Sequence, residues 1–248
     1  MPNFRPFVLT AALAAVTTTL AVTAARADMK VVQTTQVDSP QLKAYLETMT
    51  PQQRAMMAHS GNPLLRGGPQ QTVIFVHGGQ TRADIGTMSY VVNSATHQTT
   101  VLNRRSRTYS SRPYKALGAG APGQMQATVK DTGQTKIVAG HPARRYLMTA
   151  TVPSQPGTII RGDIWAALDI PQPAQLSTGS GPFAALQSQF RKVKGYPLKT
   201  SLAITGSPMG DTTVNSSVVS ISKAPLPASV FAIPSGYTKA SAGESGGM

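Results

Sequence analysis

The residues able to do chemistry are few and scattered. Across 248 residues there are four histidines, His59, His77, His97 and His141, and no cysteine. No two histidines stand at i, i+4, and no carboxylates accompany them at ligand spacing, so no metal site is expected. Met56, Met57 and His59 could offer thioethers and an imidazole to Cu(I), but methionines in a helical stripe ordinarily fill core. Acidic side chains number only nine, Glu47, Glu244 and seven aspartates, and none form a paired general acid/base arrangement. Asp163 and Asp169 flank Trp165 six residues apart, a spacing that reads as strand edges. The absence of cysteine removes disulfides, thiolate ligands, a Cys nucleophile and a lipidated Cys anchor together.

Three spellings tempt and fail. Phe75-Val76-His77-Gly78-Gly79 is similar to the oxyanion-hole loop of esterases, and Gly243-Glu244-Ser245-Gly246-Gly247 matches a nucleophile elbow. An elbow needs a strand before it, a helix after it and a histidine further on; Ser245 is three residues before the last residue of the sequence, with no histidine after it. Gly118-x-Gly120-x-x-Gly123 has the dinucleotide-fingerprint spacing, but Pro122 interrupts it and strand residues follow where a phosphate-binding helix should begin. No enzyme and no cofactor are expected. An active site would require a cleft gathering two or more of Asp163, Asp169, His141 and Tyr146 within hydrogen-bond reach.

The elements that would carry any site are mostly strands. Residues 1–27 have a basic start at Arg5, an apolar run from Phe7 to Val22, and Ala25-Arg26-Ala27 as a small-x-small cleavage site. This pattern marks an export signal, too short and Thr-rich for a comfortable membrane span. Cleavage after Ala27 is expected to release a periplasmic chain with no integral membrane segment. Losing Arg5 and Arg26 lowers the net charge from +14 to +12, a field that attracts anionic envelope surfaces. Strand patterns run over 29–36, 72–76, 81–85, 88–92 and 99–102, then over 125–130, 135–138, 143–152, 158–168, 200–205 and 212–223. A helical insert is expected over about 39–60. Ser39-Pro40 starts a helix with Leu42, Leu46 and Met49 on one stripe, and Thr50-Pro51-Gln52-Gln53 forms a capping box for a second. Phe183, Leu186 and Phe190 have helical spacing, and residues 239–248 read as a disordered tail. Arg104, Arg105, Arg107 and Arg112, interleaved with Tyr109 and Tyr114, could stack on bases. They are read instead as a solvated basic face, and no nucleic-acid partner is expected.

The segment closing the chain is the most specific. Gly133-x-Thr135-Lys136-Ile137-Val138-Ala139-Gly140, Arg144-Arg145-Tyr146, Ile164-Trp165, Gly195-Tyr196-Pro197-Leu198 and Leu226-Pro227-Ala228-Ser229-Val230-Phe231-x-Ile233-Pro234-x-Gly236-Tyr237 together make the chain resemble the DUF4412 family of exported bacterial proteins. The resemblance implies a fold like the lipoprotein carriers LolA and LolB: mainly β, a curved antiparallel half-barrel with short helices across the concave face. It also implies a single domain over 28–238.

The function expected on that basis is non-catalytic binding or carriage of a lipid or other hydrophobic ligand. Inward residues of alternating strands, Phe75, Tyr90, Tyr146, Met148 and Trp165, would line the pocket under a lid of Leu42, Leu46 and Met49. Arg104, Arg105 and Arg107 would form a rim for anionic head groups. The alternative is a scaffolding envelope protein with a filled concave face and no small-molecule ligand.

Overall fold

A computed structural model describes residues 28–53, 68–113, 126–153, 155–171, 192–207 and 210–240. The signal segment 1–27, Met56, Met57 and His59, the loop at 118–123, the segment 183–190 and the tail from 241 lie outside the described residues. Among these residues the structure is mainly β, one large open sheet with only short helical pieces.

The β-branched, alternating sequence Met29–Asp38 forms strand β1. A five-strand meander leaves it on one side: β2 (Gln70–His77), β3 (Gln80–Ile85), β4 (Met88–Asn93), β5 (Gln98–Asn103) and β6 (Thr108–Pro113). The chain then reappears at the opposite edge. From there β7 (Gln126–Val138), β8 (His141–Thr151), β9 (Ile159–Ala167), β10 (Pro197–Thr205) and β11 (Thr212–Ser222) step inward until β11 pairs with β1. A last pair of residues, β12 (Thr238–Lys239), lies parallel to β6 and is the only parallel pairing among the described residues. The spatial order is β12-β6-β5-β4-β3-β2-β1-β11-β10-β9-β8-β7, with no pairing between the two edges. Two sequence patterns, 125–130 and 135–138, join into the single strand β7. Its register shifts between Asp131 and Thr135, absorbing the turn-forming Thr132-Gly133 as a bulge.

Helix α1 (Pro40–Thr48) follows β1 and is exposed along most of its length. The capping box forms as the sequence suggests: Gln53 N–H donates to Thr50 Oγ1 at 3.3 Å, and Thr50 N–H donates to Gln53 Oε1 at 2.9 Å. Arg104, Arg105 and Arg107 do not alternate along a strand with the tyrosines. They occupy the β5–β6 turn, which repeats the β4–β5 turn residue for residue. Asn93 Oδ1 accepts from the N–H groups of Ala95 and Thr96, and Asn103 Oδ1 from those of Arg105 and Ser106. Each turn ends on a left-handed residue, His97 at φ 50° and Arg107 at φ 53°. Side-chain capping of the turn by asparagine thus overrides the strand reading.

The cross-strand register sorts the core onto two faces, since directly opposed residues point the same way. One face, called here the Tyr146 face, carries Val31, Ile74 and Val76 in the first half of the sheet. In the second half it carries Tyr146, Met148, Ile160 and Ile164. The other, the Trp165 face, carries Phe75, Arg82, Val91 and Leu102 in the first half and Arg145, Asp163 and Trp165 in the second.

Candidate functional site

The Tyr146 face is the apolar one where the second half of the sheet is concerned. Along β8 the alternation is sharp: Tyr146, Met148 and Ala150 are 2%, 1% and 1% exposed, while Leu147 between them is 40% exposed. Opposite Met148 on β9 stands Gly162. A Cβ there would lie 3.0 Å from Leu202 Cδ2 and 3.2 Å from Met148 Cε, so the missing side chain lets Met148 and Leu202 close over the strand. Ile160, Ile164 and Val193 complete this cluster. A second stretch of core, with Val31, Ile74, Leu198 and Val218, continues toward the first half. Tyr196 belongs to it, and burial pushes its hydroxyl well above the usual phenol range. Two polar atoms on the Tyr146 face are sealed from solvent without a hydrogen-bond partner among the described residues: Tyr146 Oη and Arg144 Nε.

The Trp165 face differs between its halves. Over β2–β6 it is covered by the chain's own final segment, residues 223–240. Phe231, in a short 3-10 helix at Ala228–Phe231, is buried against Val91 and Leu102, with Leu226, Val230 and Tyr237 around it. Arg82 Nη1 donates to Val230 O at 2.7 Å, and the same guanidinium pairs with Asp84 at 2.7 Å and reaches Ser89 Oγ at 3.2 Å. The strap is also held at its start. Asp28 accepts from Leu226 N–H at 2.6 Å and bonds His77 Nδ1 at 2.6 Å. The Leu226 amide, followed by His77, holds the Asp28 carboxyl below the usual carboxylate range. Over β7–β10 this face carries charged side chains around the half-buried Trp165. Arg145 forks onto Asp163 (2.7 Å), and Lys136 Nζ stands 3.9 Å over the Trp165 ring.

The expected lining residues therefore divide. Tyr90, Tyr146 and Met148 share the Tyr146 face, whereas Phe75 lies beneath the strap and Trp165 is half-buried under Lys136 on the other face. Burial raises the Tyr90 hydroxyl, opposed by the Arg112 charge on the same face. Leu46 and Met49 are half-buried, and the side chain of Leu42 lies outside the described residues. Arg104, Arg105 and Arg107 are exposed at the turn, Arg104 also donating to Gly86 O.

Sequence reading missed the two His–Asp pairs, because each joins residues far apart in the chain: His77 with Asp28, and His141 with Asp169 at 2.8 Å. His141 holds the Asp169 carboxyl below its usual range. The pair is at the surface, with side chains 23% and 41% exposed. Asp163 is engaged by Arg145, and Tyr146 points to the opposite face, so the four candidate groups do not converge. Among the described residues no cluster of three or more His, Cys, Asp or Glu side chains is placed to hold a metal. No helix among them is long and apolar enough to cross a membrane.

Residues 77–237, more than half of the chain, match the model of the family described as "Domain of unknown function (DUF4412)", and the chain belongs to that family. Two solved structures show distant likeness. PNGF-II is 13% identical with a TM-score of 0.40; the alignment covers 88% of this chain but only 32% of that one. The LolA superfamily protein NE2245 from Nitrosomonas europaea is 7% identical with a TM-score of 0.32, covering 84% of this chain and 90% of its own. No curated protein matches the chain.

Proposed function

We propose that the protein is a non-catalytic periplasmic carrier or binding protein for a lipid or other hydrophobic ligand, held on the Tyr146 face. The observation that carries this reading is the breadth of that face. Buried apolar side chains run across it from β2 to β8 on one sheet, with no second sheet opposed to it among the described residues. Twelve strands rotated by about 20–25° each accumulate more than a half-turn, which favours a curved half-barrel with this face inside. Helix α1, which follows β1, would serve as part of its cover. An apolar concave surface of this kind is the common setting for greasy ligands. Arg104, Arg105 and Arg107 at the β5–β6 turn would draw the protein to anionic envelope surfaces.

The test is to express the protein with its own export signal, purify it gently and extract it for lipid mass spectrometry. A stoichiometric co-purifying lipid is expected. Changing the three arginines to Ser is expected to weaken association with anionic vesicles at low salt. The competing reading is a scaffolding envelope protein with a filled interior. One observation favours it, the close approach of Met148 and Leu202 over Gly162. No bound lipid and no binding of a hydrophobic fluorescent probe would decide for the scaffold.

A further inference from the structure

The two orphaned polar atoms belong to same-face neighbours on one strand. Arg144 and Tyr146 alternate along β8 and so project to the same side, their Cα atoms about 6.6–6.8 Å apart. Tyr146 is 2% exposed and packed into the cluster of Met148, Ile160 and Ile164, yet its hydroxyl meets no acceptor or donor there. Arg144 Nε is likewise sealed and unpaired, while its Nη1 donates to Asp131 Oδ2 at 3.2 Å. Asp131 stands directly opposite Tyr146 on β7, and its other oxygen accepts from Gly133 N–H at 2.9 Å. Buried donors are rarely left without partners, and an unpaired pair in an otherwise apolar patch calls for an acceptor.

The charge balance says which acceptor. The Asp131 carboxylate already offsets the Arg144 guanidinium, so the pair presents two N–H and O–H donors with little net charge. A free carboxylate or phosphate entering here would gain those donors but meet Asp131. A neutral carbonyl oxygen gains the donors without the repulsion. It has two lone pairs, one for each donor. We propose that Arg144 Nε and Tyr146 Oη form the polar end of the binding face and take the carbonyl oxygen of an ester- or amide-linked acyl chain, the hydrocarbon lying over Met148, Gly162 and Leu202. This assignment rests on the carrier reading above and adds the chemistry of the ligand's head.

The experiment uses displacement of N-phenyl-1-naphthylamine from the full mature protein by methyl palmitate, hexadecane and sodium palmitate. Wild-type protein is expected to bind methyl palmitate about tenfold more tightly than hexadecane, the worth of one or two buried hydrogen bonds, and more tightly than palmitate. Tyr146→Phe keeps the ring and removes only the hydroxyl. It should erase the advantage over hexadecane while leaving hexadecane binding unchanged, and should melt no lower than wild type without ligand. Asp131→Asn, at an exposed position, should shift the preference toward palmitate. Equal binding of the ester and the hydrocarbon, unaffected by Tyr146→Phe, would overturn the subsite and leave the carrier reading standing. Tighter binding of palmitate than of the ester by wild type, or no shift in Asp131→Asn, would overturn the neutral-carbonyl assignment. Failure of the naphthylamine probe to bind at all would remove the carrier reading and the subsite with it.

Discussion

The strap over the Trp165 face can be tested at its centre. Phe231 is 7% exposed, packed on Val91 and Leu102, with its ring centroid 5.9 Å from that of His77. Truncating a buried Phe to Ala in a closed core costs about 3–5 kcal/mol. A terminal segment could escape that cost by lifting away, but this one is tied on both sides of Phe231. Leu226 N–H is held by Asp28 at 2.6 Å and Val230 O by Arg82 at 2.7 Å. Beyond it Thr238 N–H donates to Arg107 O at 3.0 Å and Ala240 N–H to Tyr109 O at 2.8 Å. With the strap pinned, lifting away cannot relieve the loss, and Phe231→Ala is expected to cost at least about 3 kcal/mol, the low end of the range. At about 2–4 °C per kcal/mol for a domain of this size, the melting midpoint should fall by roughly 6–12 °C. Urea unfolding gives the free energy, and amide hydrogen exchange at Val91 and Leu102 reports whether the covered strands open locally. A loss under about 1 kcal/mol with unchanged exchange at those two amides would refute the view that the strap is part of the core.

Other outcomes follow from the same geometry. Gly195 sits at φ +93°, and a Cβ there would fall 1.6 Å from Ala167 O. Gly195→Ala must therefore move backbone and is expected to cost more than about 2 kcal/mol in urea unfolding. Asp28 and Asp169 have carboxyls held below the ordinary value of 3.8 in the folded state. Their stabilisation is fully present above that value and is lost as pH falls through the folded values. Asp28→Asn should accordingly flatten the acid limb of a stability–pH curve, measured by urea midpoints across the acid range. Trp165, the single tryptophan, lies under Lys136 on the face away from Tyr146. Ligand binding on the Tyr146 face should leave its emission maximum unchanged, whereas Lys136→Ala should alter its emission.

Much of the architecture is readable from local pattern. The alternation of β-branched and polar residues in Met29–Gln36 or Ala143–Val152 needs no distant partner to declare a strand, and Gly78-Gly79 or Gly206 marks the chain reversal by itself. The capping box at Thr50 is likewise a four-residue affair. The family was legible as well, because its marks, such as Gly195-Tyr196-Pro197-Leu198 and the Phe231 segment, are short and contiguous.

What faced where could not be read this way. Alternation says that Phe75 and Val76 point apart, but only the register across β1, β11, β10 and β9 decides that Tyr146 joins Ile74 while Trp165 joins Phe75. A bulge between Val32 and Gln33 shifts that register by a residue and carries Val219 outward, 60% exposed. No propensity within β1 announces it. The pairs that clasp the molecule, His77 with Asp28 and Asp28 with Leu226, join residues 49 and 198 positions apart. Charge and hydrogen-bonding partners at such separations are chosen by the closed chain. The sequence by itself settled where most of the strands run and which family the chain belongs to. The tertiary structure alone decided that Phe231 belongs to a strap, that Trp165 lies on the face away from Tyr146, and that Arg144 and Tyr146 leave two donors unpaired on an apolar face, because each of these depends on pairings between strands that the chain meets far apart.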